Sequence, residues 1–453
     1  MRNVSYRNIV RLVWPLALGM ANNAIMQFVD RAFLARDSMA SLEAILPATT
    51  LAWIFMSFFQ SIVGYSGVFV AQYHGAGDEA GCAQSYRAGM AIAFFSGLLM
   101  FPLIPLGGWI LAKTATTPEI LSLETTYYDI IIAFGVLVFA QMAATSYFTG
   151  RGRPRIVFWI NLLGNLLNAA LDPLLIFGLL GFPHLGMAGA AYATVISLAA
   201  QLVALAALAG LDMRAAGAST RKRDASRPMR PLLFRMLRYG IPAGGYEVLN
   251  MASFTIFVFV TERVGGVAFA ASNACFSVNY LIFAPMTGFA IGAQTLVGQA
   301  LGRGSADEAR MALRRTLALG VGFVAILSAL AVIFHSPVLS LFAPASMEGG
   351  AGERLEFLKV GTVLMALMAT WQVFDAIDVI ASGALKGAGD TRFVMGWMLF
   401  CAFGFWMPLL FCVRFLHSGM PALWSTMIAY VILTCCGTVW RWRRGPWQNI
   451  RLI

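Results

Sequence analysis

The chain has 453 residues, of which 59% are hydrophobic and only 12% charged, and its formal net charge is +11. Water-soluble domains carry about 25% charge, so an ordinary soluble globule is excluded. The basic excess does not indicate nucleic acid either: 25 of the 32 Lys and Arg fall on one side of the apolar runs and 7 on the other, which is how a membrane chain marks its cytoplasmic face.

A hydrocarbon layer of ~30 Å needs about 20 apolar helical residues. Twelve such runs are read, at 9–34, 44–71, 88–112, 125–149, 156–180, 186–210, 232–261, 267–299, 313–342, 357–384, 393–415 and 420–440. The expectation is an all-α polytopic membrane protein of twelve transmembrane helices, in the cell (inner) membrane, with both termini cytoplasmic. The first run is too long for a signal peptide and no cleavage pattern follows it, so it is expected to stay as helix 1. Helix 1 carries Trp14-Pro15 and, near its outer end, Asp30. Helix 5 carries Asn161, Asn165, Asn168 and Asp172, followed at once by Pro173, and helix 6 opens with GMAGAAYAT, small residues that allow close packing in lipid. Residues 211–231 are polar and basic and read as a cytoplasmic linker in contact with lipid headgroups. The six cysteines fit neither a disulfide framework nor a zinc site.

Beyond the linker the chain repeats itself. Pro15 recurs as Pro242, and VAQYHGAG at 70–77 recurs as VGQALGRG at 297–304, both at an offset of 227. SYFTGRGRPR at 146–155 lies over GALKGAGDTR at 383–392, so Gly150, Gly152 and Arg155 fall on Gly387, Gly389 and Arg392 at an offset of 237. Three landmarks in one order imply a duplication. Each half holds six spans, an even number, so both enter the membrane in the same direction. Such halves are related by a pseudo-twofold axis along the membrane normal, and transporters are built this way. The expected organisation is an N-lobe over 1–210, helices 1–6, the linker over 211–231, and a C-lobe over 232–453, helices 7–12.

Carboxylates deep in lipid cost about 2.5–3.5 kcal/mol each on insertion scales, so they are expected to face the bundle interior. Asn161, Asn165, Asn168 and Asp172 share one helical face, as do Asn23, Gln27 and Asp30 in helix 1. Gln372, Asp375, Asp378 and Ser382 make a third stripe, and Glu247 with Asn250 a fourth. A lone Asn or Gln in such a stripe is read as interhelical glue before function. No Lys or Arg is expected beside the acids deep in the spans, so a proton, Na⁺ or a cationic substrate is their natural counter-charge. Desolvation favours the neutral carboxyl group, which suits these acids to proton exchange. The abundance of Met and Phe suits an adaptable apolar cavity.

These residues resemble the prokaryotic multidrug and toxic compound extrusion (MATE) family. The resemblance rests on Pro15 and FVDRAFLAR in helix 1, NAALDPLLIFG in helix 5, GMAGAAYAT in helix 6, GIPAGG in helix 7 and FDAIDVIASGALKGAGDTR in helix 10. It implies two bundles forming a V-shaped cleft, and a secondary-active antiporter that exports organic, often cationic, compounds against inward H⁺ or Na⁺ by alternating access. By position it implies a cation-coupling site of Asp30, Asn168 and Asp172, with Thr194 from helix 6, and Asp375 as the helix 10 acid. Na⁺ at Asp30, Asn168 and Asp172 is the alternative to a proton there. Many members have a Glu eight residues after the helix 7 Pro; this chain has Asn250 there, with Glu247 nearly one turn earlier. That departure leans the reading towards H⁺ coupling through Asp30 and Asp172. No cofactor beyond the coupling ion and no second subunit are expected; the partners are small organic substrates and the bilayer. A flippase for lipid-linked precursors is the second reading, disfavoured by the acidic stripes. A membrane enzyme is the third. It would need a nucleophile–base pair or a metal cluster within the spans, and the four histidines, His74, His184, His335 and His417, are read in loops, none paired with a motif.

Overall fold

The computed structural model describes residues 5–216, 228–343, 351–416 and 419–453. Among them there is no strand. The long helices are α1 (Tyr6–Asp37), α2 (Met39–Gly75), α3 (Glu79–Met100 continued by Leu103–Thr114), α4 (Pro118–Ala133 continued by Gly135–Gly150), α5 (Pro154–Phe177) and α6 (Gly186–Ala215). The second half supplies α7 (Met229–Glu262), α8 (Gly266–Gly302), α9 (Ala306–Ile333), α10 (Ala351–Ala388), α11 (Thr391–Phe415) and α12 (Met420–Arg444). Ten of these are each long and apolar enough to cross a bilayer. The two bent ones, α3 at 48° and α4 at 46°, pass when each pair counts as one span, which makes twelve. The chain is a multi-pass, all-α membrane protein.

The helices overrun the apolar limits read from the sequence, because a helix satisfies its own backbone hydrogen bonds whatever its side chains. Thus α6 continues to Ala215 and α7 starts at Met229, inside the stretch read as linker; residues 217–227 lie outside the described residues. The run read as 313–342 is two helices. α9 starts earlier, at Ala306, where the Ser305 hydroxyl accepts from the Glu308 amide at 3.2 Å. It stops at Ile333, and a short helix, His335–Ser340, follows the break at Phe334. His335 therefore opens a helix and His74 closes α2, so the placement of both in loops is corrected. His184 lies between α5 and α6, and His417 lies outside the described residues.

The chain forms two compact units. One comprises residues 18–244, 298–304 and 452–453, and the other residues 1–17, 245–297 and 305–451. In the second unit a buried aromatic cluster fills the core. Trp424 stacks on Phe276 at 4.9 Å between ring centres, Trp371 lies 4.8 Å from Trp424, and Trp406 stacks on Tyr430 at 4.6 Å. Each indole N–H finds an acceptor: Thr426 Oγ1 for Trp406, Ser272 Oγ for Trp424 and Asn279 Oδ1 for Trp371, as a buried indole requires.

The duplicated turns are built alike. Gly77 and Gly304 have φ of 73° and 74°, and Gly152 and Gly389 have φ of 74° and 93°, the left-handed region that glycine enters without cost. After α4 the Arg153 amide donates to the Phe148 carbonyl at 2.8 Å, and after α10 the Asp390 amide donates to Leu385 at 2.9 Å. These are matching helix C-terminal closures. An ion pair then ties each turn to the end of its half's last helix, with the charges exchanged. Arg153 meets Asp212 of α6 at 2.6 Å, and Asp390 meets Arg441 of α12 at 2.6 Å. In the first half the network is larger. Asp212 also accepts from Tyr147 at 2.9 Å, and Arg151 pairs with both Glu79 and Asp212. Burial works against the Arg151 charge, but Tyr147, Glu79 and Asp212 overcome it and hold the guanidinium above its ordinary value. Since the fold accepts either polarity, Asp390→Arg and Arg441→Asp are each expected to lower Tm, by about 1–3 kcal/mol of stability, and together to recover most of it. Additive losses in the double variant, measured by thermal unfolding in detergent, would count against a pairwise role.

Candidate functional site

Helix α5 starts with Pro154 at its first position, where the missing N–H costs nothing. Its polar residues fall on one side, with Asn168 and Asp172 buried, while Leu163 and Leu166 on the other side are exposed. Gly164 makes room for α6, since a Cβ there would run into the Gln201 carboxamide. Likewise Gly189 of α6 lies against the Leu175 carbonyl, the close approach expected of GMAGAAYAT. Pro173, just after Asp172, has no N–H to give to the carbonyl one turn back.

A cavity of ≈ 380 Å³ opens beside this face, between α1, α2, α4, α5 and α6. Asn23, Gln27, Asp30, Asn161, Asn165, Asn168 and Thr194 all line it. Its apolar walls include Met20, Met26, Met56, Met142, Trp53 and Tyr127. Asn165 donates to Asn23 Oδ1 at 3.2 Å, joining α5 to α1. Asn168 Nδ2 donates to Asp172 Oδ1 at 3.4 Å, and Thr194 Oγ1 donates to its own helix at Ala190. Asp172 is fully buried and its carboxyl group interacts with that of Asp30; both acids, and Arg31 beside Asp30, act on the buried Tyr127. Asp30 Oδ1 and Asp172 Oδ2 are buried without a hydrogen-bond partner. The first half thus gathers every residue read for it into one place.

Three residues here were not read from the sequence. Gln141 of α4 donates to Asn161 Oδ1 at 3.2 Å and to Gln201 Oε1 at 3.1 Å, a carboxamide cluster across three helices. Tyr127 is the third. Gln141 and Gln201 are each isolated in an apolar run, and Tyr127 lies in the polar stretch ETTYYD, where nothing singles it out from its neighbours.

The second group lies in the other unit and is arranged differently. Gln372 is buried and donates to Asn279 Oδ1 at 2.6 Å, so it serves as glue between α10 and α8. Asp378 Oδ1 accepts from Thr438 of α12 at 2.8 Å. Asp375, one turn earlier, and Asn250 of α7 are half-buried. Glu247 corrects the expectation that no base would neutralise these acids. Its Oε1 lies 2.8 Å from Lys386 Nζ, because α10 runs on past the predicted end of its span.

A trio of His74, Glu79 and Cys82 brings its ligand atoms within 4.8 Å of one another. Glu79 is held by Arg151 and the Cys82 thiol donates to the Val70 carbonyl, so a guanidinium already neutralises the one acid of the set.

A family model, MatE, matches residues 15–174 and again 242–412, well over half of the chain and once in each half. The chain is 28% identical to a probable multidrug resistance protein NorM of Pseudomonas aeruginosa, covering 99% of this chain and 91% of that one. Its fold is similar to a multidrug resistance MATE family transporter of the MOP superfamily in an outward-facing conformation, with a TM-score of 0.83 at 18% identity over 98% of this chain and 97% of the other. It is also similar to a MOP superfamily transporter from Pyrococcus furiosus described as having reversed polarity of its binding pocket, with a TM-score of 0.84 at 16% identity over 98% and 97%. With the family model matching both halves and twelve helical spans, the chain belongs to the multidrug and toxic compound extrusion (MATE) family.

Proposed function

We propose that this protein is a secondary-active exporter of small organic compounds, cations among them, that takes up H⁺ or Na⁺ in exchange at Asp30 and Asp172. The observation that carries the reading is that pair. Two carboxyl groups meet in a buried place, each with an oxygen lacking a partner, and no Lys or Arg among the described residues forms an ion pair with either. Like charges so placed call for a proton or a metal cation between them. Oxygen donors of Asp30, Asp172 and Asn168 suit Na⁺ as well as a proton. The adjoining cavity, with carboxamides on apolar walls rich in Met and aromatics, suits substrates of varied shape and positive charge. The name borne by the Pseudomonas aeruginosa relative supports a multidrug range.

In this reading the halves 1–210 and 232–453 work as two lobes in alternating access, joined through 211–231, in the inner membrane with both termini cytoplasmic. Gly150–Arg155 and Gly387–Arg392 act as inner gating turns. One charge moving inward through 100 mV supplies about 2.3 kcal/mol, and one pH unit about 1.4 kcal/mol.

The test is ethidium transport in proteoliposomes under a pH gradient without Na⁺, and then under a Na⁺ gradient at matched pH. Concentrative transport under at least one gradient, collapsing when that gradient is dissipated, is expected. Movement that ignores both gradients rules out the exchange reading.

A further inference from the structure

We infer that Lys386 is the resident counter-ion of the second half: its ammonium group holds the place beside Glu247 that an exchanged metal ion would otherwise take. Lys386 Nζ lies 2.8 Å from Glu247 Oε1, and its side chain is only 13% exposed, against 40% for Glu247. The Tyr246 ring covers the ammonium from 3.8 Å, a cation–π contact that adds to its hold. The last turn of α10, where carbonyls lack helical partners, also favours a cation. The neighbouring acids do not compete on equal terms, since Asp378 is already bonded to Thr438.

The arrangement belongs to one half only. By the offsets of the duplication, Glu247 corresponds to Met20 and Lys386 to Thr149. Neither of those is charged, and Met20 lines the open cavity of the first half. In the first half Arg31 lines the cavity and acts on Asp30 through space without an ion pair to either acid, whereas in the second half Lys386 pairs directly with Glu247. The exchanged ion is left to Asp30 and Asp172, and Lys386 acts as a positioning residue that fixes α10 against α7. The inference rests on the proposed coupling reading only in assigning the exchanged ion to the first half.

The experiment measures Tm of the full chain in detergent as Na⁺ replaces N-methyl-D-glucamine at constant ionic strength. Lys386→Met is expected to gain a Na⁺-dependent rise in Tm, with apparent Na⁺ affinity about tenfold above the parent, a difference of about 1.4 kcal/mol. Adding Glu247→Gln to Lys386→Met should abolish that gain. In the parent background Glu247→Gln should leave any Na⁺ response unchanged, and Lys386→Arg should preserve it. A folded Lys386→Met with no new Na⁺ response overturns the inference. So does a parent Na⁺ response that Glu247→Gln removes, which remains readable if Lys386→Met does not fold. Failure of the coupling reading shows separately, as vesicle transport indifferent to Asp172→Asn, and leaves these titrations intact.

Discussion

Asp172→Asn is expected to reduce gradient-driven efflux to the level of passive leak while leaving the protein folded. The substitution keeps shape and keeps the Oδ1 that accepts from Asn168 at 3.4 Å. It removes only the ability to carry a charge, and it relieves the meeting of two acids with Asp30. Tm is therefore expected to hold or rise, since a buried acid without a cationic partner costs stability. A gradient of 100 mV and one pH unit supports about a several-hundredfold substrate ratio when one proton is tightly coupled. In Asp172→Asn that ratio should fall towards one, whereas ethidium binding to the purified protein should persist. Asp30→Asn is expected to behave in the same way, because the two residues share one site. Asp375→Asn should have a smaller effect, with Glu247 of its unit already paired to Lys386. Undiminished efflux by Asp172→Asn at normal expression would remove the coupling role from the first half.

The second large effect is steric. Near the duplicated turns the chain crosses itself backbone to backbone: Gly302 faces the Gln72 carbonyl and Gly75 faces the Gln299 carbonyl, so that a Cβ at either glycine would overlap that oxygen. The two contacts are related by the 227-residue offset, and both lie in the same compact unit. Gln299 adds a buried bond from its Nε2 to the Gly150 carbonyl at 2.8 Å. A backbone carbonyl cannot swing away as a side chain can. Gly302→Ala is thus expected to destabilise, although alanine is the better helix former by about 1 kcal/mol. Gly302→Val should cost about 3 kcal/mol, the upper end of overpacking penalties. Thermal unfolding of Gly302→Ala decides the sign. A raised Tm would mean that helix propensity, not the crossing, governs this position.

The amino-acid pattern alone determined a great deal here, because the signals it carries are local. Apolar runs of membrane length, the bias of Lys and Arg to one side and the repeated glycine turns are all legible residue by residue. So was the face of α5, since residues at helical spacing must share a side wherever the helix packs. The acids at positions 30 and 172 were each legible as candidates because each lies on such a face, but only the family resemblance joined them into one site. The tertiary structure alone decided what stands opposite each face. Gln141 and Gln201 join the site because α4, α5 and α6 close on one another at Gly164, and no spacing rule links positions 60 residues apart. Lys386 reaches Glu247 across 139 residues because α10 stays helical past its last apolar turn. The exchanged polarity of the Arg153–Asp212 and Asp390–Arg441 pairs was hidden for the same reason. A duplication visible in glycines need not be visible in charges, because backbone conformation restricts a turn to one residue type while an ion pair works with its partners reversed.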